Sequence, residues 1–502
     1  MHGGVWPARA RHADTRLSAP MRELGQHVIA AIGWDRDLGW TGTREAIDQA
    51  LAVGVGGFLI RGGPHYEVAQ LARALHAHSP VPLLVGADVE RGAGERFHGA
   101  VSLPPAGALA SLGDADAVRR AARITARDAR ELGLNWALGP VCDLDLDNGN
   151  PVVGVRGFGG DATRVGELSA EWIDACQSES VLACAKHFPG HGRTTVDSHL
   201  RLPVQEESLT QLLASDLVPF RAAVDSGVAS IMTAHVAFQA IDGAGLPATL
   251  SAPTIRLLRD DLGFQGLIVT DALGMRGVRA VQDESEAAVG ALAAGCDLLL
   301  APNDPALVVQ AMAAAIADGR LDGARLAASR ARRDWWATWA RWLPDSRGPT
   351  LDDRTWAKQV SDRVLQVVRG RVPWVPPACE VVLVDDDPAS AAPSRWYFVQ
   401  ALQSLGRIVN VVPGATERGE GVLVIAVFAD VLPGKGHISL TPQSRLTVRL
   451  AVQAARSLKR DTLVVLFGHP RLAAELPDAA HLLCAWAGDR GMQEAAARAL
   501  VS

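Results

Sequence analysis

Short apolar runs rich in β-branched residues alternate with longer amphipathic segments through roughly the first two thirds of the chain. The amphipathic segments at 114–133 and 162–178 have helical periodicity, and the first begins at Asp114, a residue suited to cap a helix. Predicted strands lie at 27–34, 56–61, 82–88, 135–141, 181–188, 229–236, 267–271 and 296–302. Eight strand–helix units of this size predict an α/β fold, a (β/α)8 TIM-type barrel of parallel strands.

Polar residues with reactive side chains fall at or just past the carboxyl ends of the predicted strands. A closed barrel gathers all of these ends on one face, where the loops after the strands build the active site. An open doubly wound sheet uses strand ends only near its switch point. Five separate positions therefore favour closure, and they are Asp88, Asp143, Lys186–His187, His235 and Asp271.

The pattern changes after residue 340, where the dense segment 371-RVPWVPP-377 indicates a linker. A second α/β set follows and predicts a smaller, doubly wound domain; it has no GxGxxG after its first strand, which argues against a dinucleotide site. Its predicted strands lie at 380–386, 407–412, 422–428, 462–468 and 481–487. The expected organisation is a flexible N-terminal tail at 1–22, the barrel at 23–345, a linker at 346–378 that is partly helical at 352–370, and the α/β C-terminal domain at 379–502.

Composition narrows the classes of partner. With 48% apolar and 21% charged residues the chain is globular, and 49 Lys and Arg against 55 Asp and Glu leave no basic field for nucleic acid or an anionic membrane. No apolar run reaches the roughly 18–20 residues that a membrane span needs. The six cysteines show no CxxC spacing, and the first 20 residues lack the apolar core of a secretory signal. We therefore expect a cytoplasmic protein without a disulfide or zinc framework.

The segment 186-KHFPGHGRTTVDSH-199 carries a dense set of reactive side chains and allows three interpretations. His187 and His191 have the spacing of zinc ligands, but the Pro-Gly pair between them opposes the helix that would place both rings on one face. A structural interpretation is a loop whose polar groups satisfy its own backbone. The third interpretation is a mobile catalytic loop, in which Asp197 orients His199 and stabilises its charged form for acid–base work.

Two further acidic segments have competing interpretations. Asp271 ends the seventh predicted strand, where it either caps a following helix or projects into the barrel mouth as a nucleophile. The local sequence leaves both roles open. The segment 143-DLDLDNGNPVVG-154 resembles a calcium loop, but Asn148 replaces the required Gly and Gly154 replaces the bidentate Glu. These two departures argue against calcium there.

The loop 186–199 resembles the KHFPGHG-x4-DSH signature of family 3 glycoside hydrolases, in their β-N-acetylglucosaminidase (NagZ-type) branch. The resemblance covers residues 24–340, and residues 380–502 resemble a shortened form of the second α/β domain found in many members. Supporting motifs follow in the family's order, and they are 84-LVGADVERGAGERF-97, 135-NWALGPVCDLD-145, 154-GVRGFGGD-161, 232-MTAHV-236 and 267-LIVTDALGM-275.

The resemblance implies retaining hydrolysis of a terminal β-linked N-acetylglucosamine, with a small carbohydrate substrate such as a muropeptide or a chitooligosaccharide and no metal or cofactor. Asp271 matches the nucleophile, and Asp197 with His199 matches the acid–base dyad. The residues that match the sugar-binding positions are Asp88, Arg96, Arg156, Lys186 and His187.

Two departures from the family pattern concern the surroundings of these residues. Arg91 stands where the family has Gly, and Ala272 follows the nucleophile where this branch has a second Asp. Two rival functions also remain. The first is a β-N-acetylglucosaminide phosphorylase with the same site, because a neutral histidine base repels an incoming anion less than a carboxylate would and so would let phosphate compete with water as acceptor. The other rival is a sugar-binding protein without catalysis. The presence of all three matched catalytic residues argues against it.

Overall fold

Eight parallel strands close into a barrel in the first part of the chain. The computed structural model describes residues 18–341, 347–387, 394–417, 419–432, 434–476 and 478–501. The barrel strands are β1 Val28–Gly33, β2 Gly57–Arg61, β3 Leu84–Ala87, β4 Trp136–Ala137, β5 Leu182–Phe188, β6 Ser230–Thr233, β7 Leu267–Thr270 and β8 Leu299–Leu300. Neighbours in this order pair in parallel, β8 pairs with β1, and a bridge between Val269 and Leu298 joins β7 to β8. The predicted barrel is confirmed.

Successive residues of the barrel strands face the barrel interior and the surrounding helices alternately. Ile29 of β1 belongs to the inner cluster, whereas the residues on either side of it pack beneath the helices. Trp136 fills the interior, and its Nε1 donates to Ser230 Oγ at 2.9 Å. Ser230 Oγ in turn donates to Ala183 O at 2.8 Å, so these two polar side chains inside the barrel are both hydrogen-bonded.

Helices connect the barrel strands and cover their outer faces. The two helices that the sequence predicts best each begin at an acidic cap residue. Asp114 accepts from Asp116 N at 3.0 Å, and Asp161 accepts from Arg164 N at 2.8 Å. The helices around the barrel are Arg44–Val53, His65–His78, Ala106–Ala110, Ala115–Glu131, Ala162–Ser178, Leu209–Ala214, Val218–Asp225, Ala252–Arg256, Arg276–Arg279, Glu284–Ala294, Pro305–Ala317 and Gly323–Trp339. Within the described ranges, none of the chain's helices has the length and apolar character needed to cross a membrane.

A further helix at Ala19–Gly25 precedes β1 and corrects the end of the predicted tail 1–22. Met21 and Leu24, three residues apart on one face of this helix, pack against the apolar core. So short an apolar stripe is too small to be recognised as a helix from periodicity. The rest of the predicted tail, residues 1–17, lies outside the described residues.

The second domain is a six-stranded sheet with helices, and five of its strands are parallel. Its spatial order is β9-β14-β13-β12-β10-β11, with β9 antiparallel at one edge. The strands are β9 Gln366–Arg369, β10 Ala378–Asp385, β11 Ile408–Val411, β12 Leu423–Ala429, β13 Thr462–Gly468 and β14 His481–Cys484. The helices are Leu351–Arg363, Trp396–Ser404, Pro442–Ser457 and Arg490–Ala499.

The predicted linker at 346–378 contains one element that the sequence pattern does not show. Its predicted helix at 352–370 ends at Arg363, and the chain then forms the edge strand β9. Val367 and Val368 of β9 are both exposed, so this strand lacks the apolar alternation that marks a half-buried strand. Much of the expected linker is therefore part of the second domain.

A buried ion-pair cluster joins the two domains. Arg91, in the loop after β3, is 8% exposed and its Nη1 lies 2.9 Å from Asp430 Oδ2. The same nitrogen lies 3.9 Å from Asp489 Oδ2, and Arg91 Nε lies 3.8 Å from Glu95 Oε1. Asp430 follows β12, and Asp489 caps the helix Arg490–Ala499. The arginine that replaces the expected glycine is thus a link between the barrel and the second sheet.

Replacing Arg91 with Met is expected to lower the free energy of unfolding by about 3–5 kcal/mol, because Asp430 and Asp489 would stay buried without their cation. Urea denaturation followed by circular dichroism measures the change. The control is Arg320→Met, which removes a solvent-exposed pair with Asp318 and Glu286 and should shift the transition far less. Equal shifts in both variants would show that the interdomain cluster contributes no more to stability than an exposed ion pair does.

Candidate active site

A cavity of about 1590 Å³ lies at the carboxyl end of the barrel and extends to helices of the second domain. Its wall includes seven of the eight predicted site residues. The eighth, Asp197, is buried and hydrogen-bonded to His199. The seven on the wall are Asp88, Arg96, Arg156, Lys186, His187, His199 and Asp271.

A network of four charged side chains occupies one side of the cavity. Lys186, at the end of β5, is 1% exposed, and its Nζ lies 2.8 Å from Asp88 Oδ1 and 2.7 Å from Glu90 Oε1. Arg156 donates to both oxygens of Glu90, from Nε at 2.9 Å and from Nη2 at 2.8 Å. Glu90 is therefore the shared anionic partner of Lys186 and Arg156.

Glu90 is a site residue that sequence reasoning missed. Burial by itself raises the pKa of its carboxyl, but Arg156 and Lys186 outweigh burial and hold that pKa well below its ordinary value. Its charge is therefore permanent at neutral pH. The signal available in the sequence was its position two residues after Asp88, which puts both side chains on one side of an extended chain.

Arg96 reaches the same cavity from the loop after β3. Its Nε donates to the backbone carbonyl of Asp88 at 3.2 Å, and its Nη2 lies 3.6 Å from Glu95 Oε1. The side chain of Arg96 is 39% exposed, in contrast to the buried Lys186. Arg96 is thus a cation that is anchored at its stem and open to a ligand.

Asp143 organises the start of the loop that follows β5. Its Oδ2 lies 2.6 Å from His187 Nδ1, and its Oδ1 accepts from the backbone N–H groups of His187 at 3.1 Å and His191 at 2.7 Å. Burial raises the pKa of Asp143, but His187 and these bonds lower it further than burial raises it. A carboxylate only accepts, so Nδ1 of His187 carries the proton and Nε2 is left for a ligand in the cavity.

His191 has a structural role in the same loop. Its Nδ1 lies 2.6 Å from Thr194 Oγ1 and its Nε2 lies 3.0 Å from Ser198 Oγ, so both ring nitrogens are bonded to hydroxyls. Burial lowers the pKa of His191 to about 4, which keeps the ring neutral. The contacts of His187 and His191 differ from those of a zinc pair, since each ring binds protein partners of its own.

The Asp197–His199 pair has the geometry of an oriented imidazole. Asp197 Oδ1 accepts from His199 Nδ1 and from His199 N, each at 2.8 Å. Its Oδ2 accepts from the backbone N–H of Gly434, in the second domain, at 2.9 Å. Burial raises the pKa of Asp197, but its bonds to His199 and Gly434 bring the pKa below its ordinary value. The second domain thus holds the residue that orients His199.

Asp271 follows β7 directly, and its Oδ1 accepts from Ala272 N at 2.7 Å. Burial favours its protonated form, yet His235, His187 and His199 together bring the pKa of Asp271 below its ordinary value. The carboxylate is therefore ionised at neutral pH. The alternative role as a helix cap is wrong, because the next helix begins at Arg276 with Met275 as its cap residue.

His235 supports the backbone beside Asp271. Its Nε2 lies 3.1 Å from Ala272 O and its Nδ1 lies 2.8 Å from Thr249 Oγ1. A carbonyl only accepts, so Nε2 carries the proton and holds Ala272 in place. Ala272, the residue that departs from the family pattern, contributes through its backbone N–H and C=O rather than through its side chain.

The cavity therefore combines an ionised carboxylate, an imidazole held by a buried carboxylate, and a set of fixed charged donors and acceptors. An ionised carboxylate can attack an electrophilic carbon, and an imidazole can give and take a proton near neutral pH. Fixed charged groups suit the binding of a polyhydroxylated ligand. This arrangement is suited to covalent transfer of a sugar.

Comparison with known proteins gives consistent matches over both domains. A profile described as the glycosyl hydrolase family 3 N-terminal domain matches residues 53–333. The chain is 33% identical over 402 residues to a β-N-acetylglucosaminidase/β-glucosidase of Cellulomonas fimi, covering 76% of this chain and 68% of that protein. It is 34% identical over 270 residues to a β-hexosaminidase of Thiobacillus denitrificans, covering 52% of this chain and 74% of that protein.

A solved structure agrees with these matches over nearly the whole chain. The family 3 β-N-acetylglucosaminidase from Paenibacillus sp. str. FPU-7 is 27% identical, with a TM-score of 0.83 and 97% of each chain covered. The barrel and the second domain agree with the fold of this neighbour. On this evidence the chain belongs to glycosyl hydrolase family 3, a family of glycoside-hydrolysing enzymes.

Proposed function

We propose that this chain is a retaining exo-β-N-acetylglucosaminidase that removes terminal β-linked N-acetylglucosamine from muropeptides or chitooligosaccharides. The observation that carries the proposal is the presence of ionised Asp271 and of His199 on the wall of one cavity. The names of the Cellulomonas fimi and Paenibacillus relatives support the choice of sugar. The six cysteines, all buried and none in a disulfide, fit action in the cytoplasm.

The mechanism consists of two displacements at the anomeric carbon. Asp271 attacks this carbon while the glycosidic bond breaks, and protonated His199 gives its Nε2 proton to the leaving oxygen. Neutral His199 then takes a proton from water, which displaces Asp271 and releases the sugar with its configuration retained. Asp197 stabilises the imidazolium, because its Oδ1 holds His199 Nδ1 at 2.8 Å.

Sugar binding is assigned to the charged residues around the carboxylate. Asp88, Arg96, Arg156, Lys186 and His187 line the cavity and offer donors and acceptors to the sugar hydroxyls. Several of these side chains are fixed by bonds to one another, to Glu90 or to Asp143, so little rotamer entropy is lost when the sugar binds. Such preorganisation would hold the anomeric carbon in line with Asp271.

Replacing Asp271 with Asn is expected to lower kcat by at least about 1000-fold, because the amide cannot form the covalent intermediate. Release of nitrophenol from its β-N-acetylglucosaminide measures the loss. Asp304→Asn is the matched control, since Asp304 follows β8 as a helix cap and Asn caps equally well. Turnover above a few per cent in Asp271→Asn would remove this residue from the nucleophile role, and a wild type without turnover would favour a binding protein.

Replacing Glu90 with Gln is expected to lower kcat/KM by about 10- to 100-fold, because Lys186 and Arg156 lose their shared anion and a charged hydrogen bond contributes about 1.5–3 kcal/mol. Initial rates with the same substrate measure the effect. The control is Glu179→Gln at the opposite end of the barrel, where Glu179 accepts from Arg127 at 3.0 and 2.8 Å. A similar loss in both variants would contradict a role of Glu90 in the site.

A second candidate function is phosphorolysis by the same residues. Two observations favour it, namely a histidine in place of a carboxylate as base and a cavity wall with eleven Arg and Lys against seven Asp and Glu. Both lower the electrostatic cost of bringing phosphate to the glycosyl-enzyme. The oxygen of phosphate would then replace water in breaking the bond from the anomeric carbon to Asp271.

Inorganic phosphate at millimolar concentration decides between the two acceptors. Hydrolysis predicts free N-acetylglucosamine as product at every phosphate concentration, whereas phosphorolysis predicts N-acetylglucosamine 1-phosphate in proportion to phosphate. Phosphorus NMR of the reaction mixture identifies the product directly. Sulfate at the same ionic strength is the control for a general salt effect.

A further inference from the structure

Three metal-ligating side chains meet outside the barrel, and none of them lines the cavity of the proposed site. His65 is the first residue of the helix that follows β2. Asp128 and Glu131 lie three residues apart near the end of the helix Ala115–Glu131, so they share one face of it. One ligand atom from each of the three residues lies within 4.8 Å of the other two.

The three facing atoms are buried and lack hydrogen-bond partners in the described chain. They are His65 Nε2, Asp128 Oδ1 and Glu131 Oε2. His65 Nε2 lies 3.8 Å from Asp128 Oδ1 and 3.5 Å from Glu131 Oε2. These separations exceed ordinary hydrogen bonds of about 2.7–3.2 Å. They are close to the spacing of about 3.3 Å between ligands on a tetrahedral cation with bonds of about 2.0–2.1 Å.

The charge of the cluster also points to a cation. The side chain of Asp128 is fully buried, and among the ion pairs of the described residues both carboxylates have His65 as their partner. With both carboxylates ionised, the summed charge of the three side chains is negative even when His65 is protonated, and Arg354 is a further cation that acts on Asp128 from outside the cluster. Burying such a charge is costly unless a counterion is present, and a divalent cation with neutral His65 balances it completely.

We propose that His65 Nε2, Asp128 Oδ1 and Glu131 Oε2 bind one divalent transition-metal cation of the zinc class. One nitrogen and two carboxylate oxygens form a ligand set that zinc accepts. The side chains of His65 and Glu131 are partly exposed although their ligand atoms are buried, so the cluster lies close to the protein surface. This site is independent of the proposed function, since none of its three residues lines the catalytic cavity.

The metal would stiffen a loop that lines the active site. Asp128 uses its other oxygen, Oδ2, to accept from Val101 N at 2.5 Å. Val101 belongs to the segment 97–102, which lines the cavity directly after Arg96. Fixing Asp128 in one rotamer therefore fixes the backbone beside a sugar-binding residue. The segment that contains Gly348 also lies close to the cluster, because a Cβ added at Gly348 would collide with Glu131 Oε2.

Zinc titration of the chelator-treated full-length protein tests the site. We expect one equivalent to bind the wild type, with a rise in Tm of at least about 2 °C, and cobalt to give the visible absorption of a tetrahedral complex. Asp128→Asn and Glu131→Gln should each weaken binding by at least about 100-fold, more than the roughly 10- to 100-fold effect of changes outside the ligand set. The amide oxygen introduced by Asp128→Asn would still accept from Val101 N, so this variant should retain the fold.

Two controls make the outcome specific. Asp116→Asn removes an exposed carboxylate from the same helix, and His199→Ala removes a candidate ligand from the catalytic cavity. Both should still bind one equivalent of zinc. The proposal is overturned if the wild type binds no zinc, or if His199→Ala loses the metal while Asp128→Asn keeps it. If Asp128→Asn does not fold, His65→Gln gives the same comparison from the other helix.

Discussion

The buried ammonium of Lys186 is the constraint on which the rest of the site depends. A buried cation at the carboxyl end of the barrel is stable only when anions lie next to it. Asp88 and Glu90, from the loop after β3, each place a carboxylate oxygen within 3 Å of Lys186 Nζ. Glu90 in turn pairs with Arg156, so that the loops after β3 and β4 are held to strand β5 by charge. Each member restricts the rotamers of the others, and the cavity wall is set before any ligand arrives.

The second domain extends this order to the proposed acid–base pair. A backbone amide of that domain holds Asp197, and Asp197 holds His199, so the position of the imidazole depends on how the two domains are joined. Arg91 supplies part of that junction through Asp430 and Asp489. Arg91 stands where the family has a small residue, and acidic partners across the interface balance its charge. This departure from the family pattern therefore has a structural explanation.

Much of the fold and most of the site could be predicted from the sequence, because strand ends in a barrel converge whatever the details of packing. The strands were apolar and short, and the reactive residues stood just after them. Glu90 and Asp143 were recognised less well, since their importance comes from partners far apart in the chain, such as Arg156 and His187. The edge strand β9 was not predicted for a different reason, because its exposed valines show no alternation of apolar and polar positions.

The bond from Gly434 to Asp197 has a consequence for how this protein can vary. The donor is a backbone N–H, so no side chain in this loop is needed for the bond, and only the path of the chain matters. Gly434 has φ of +78°, a left-handed conformation that other residues adopt at a cost, although a Cβ there would meet no neighbour within 4 Å. A substitution in this loop is therefore expected to weaken the bond to Asp197 only where it shifts the backbone at Gly434.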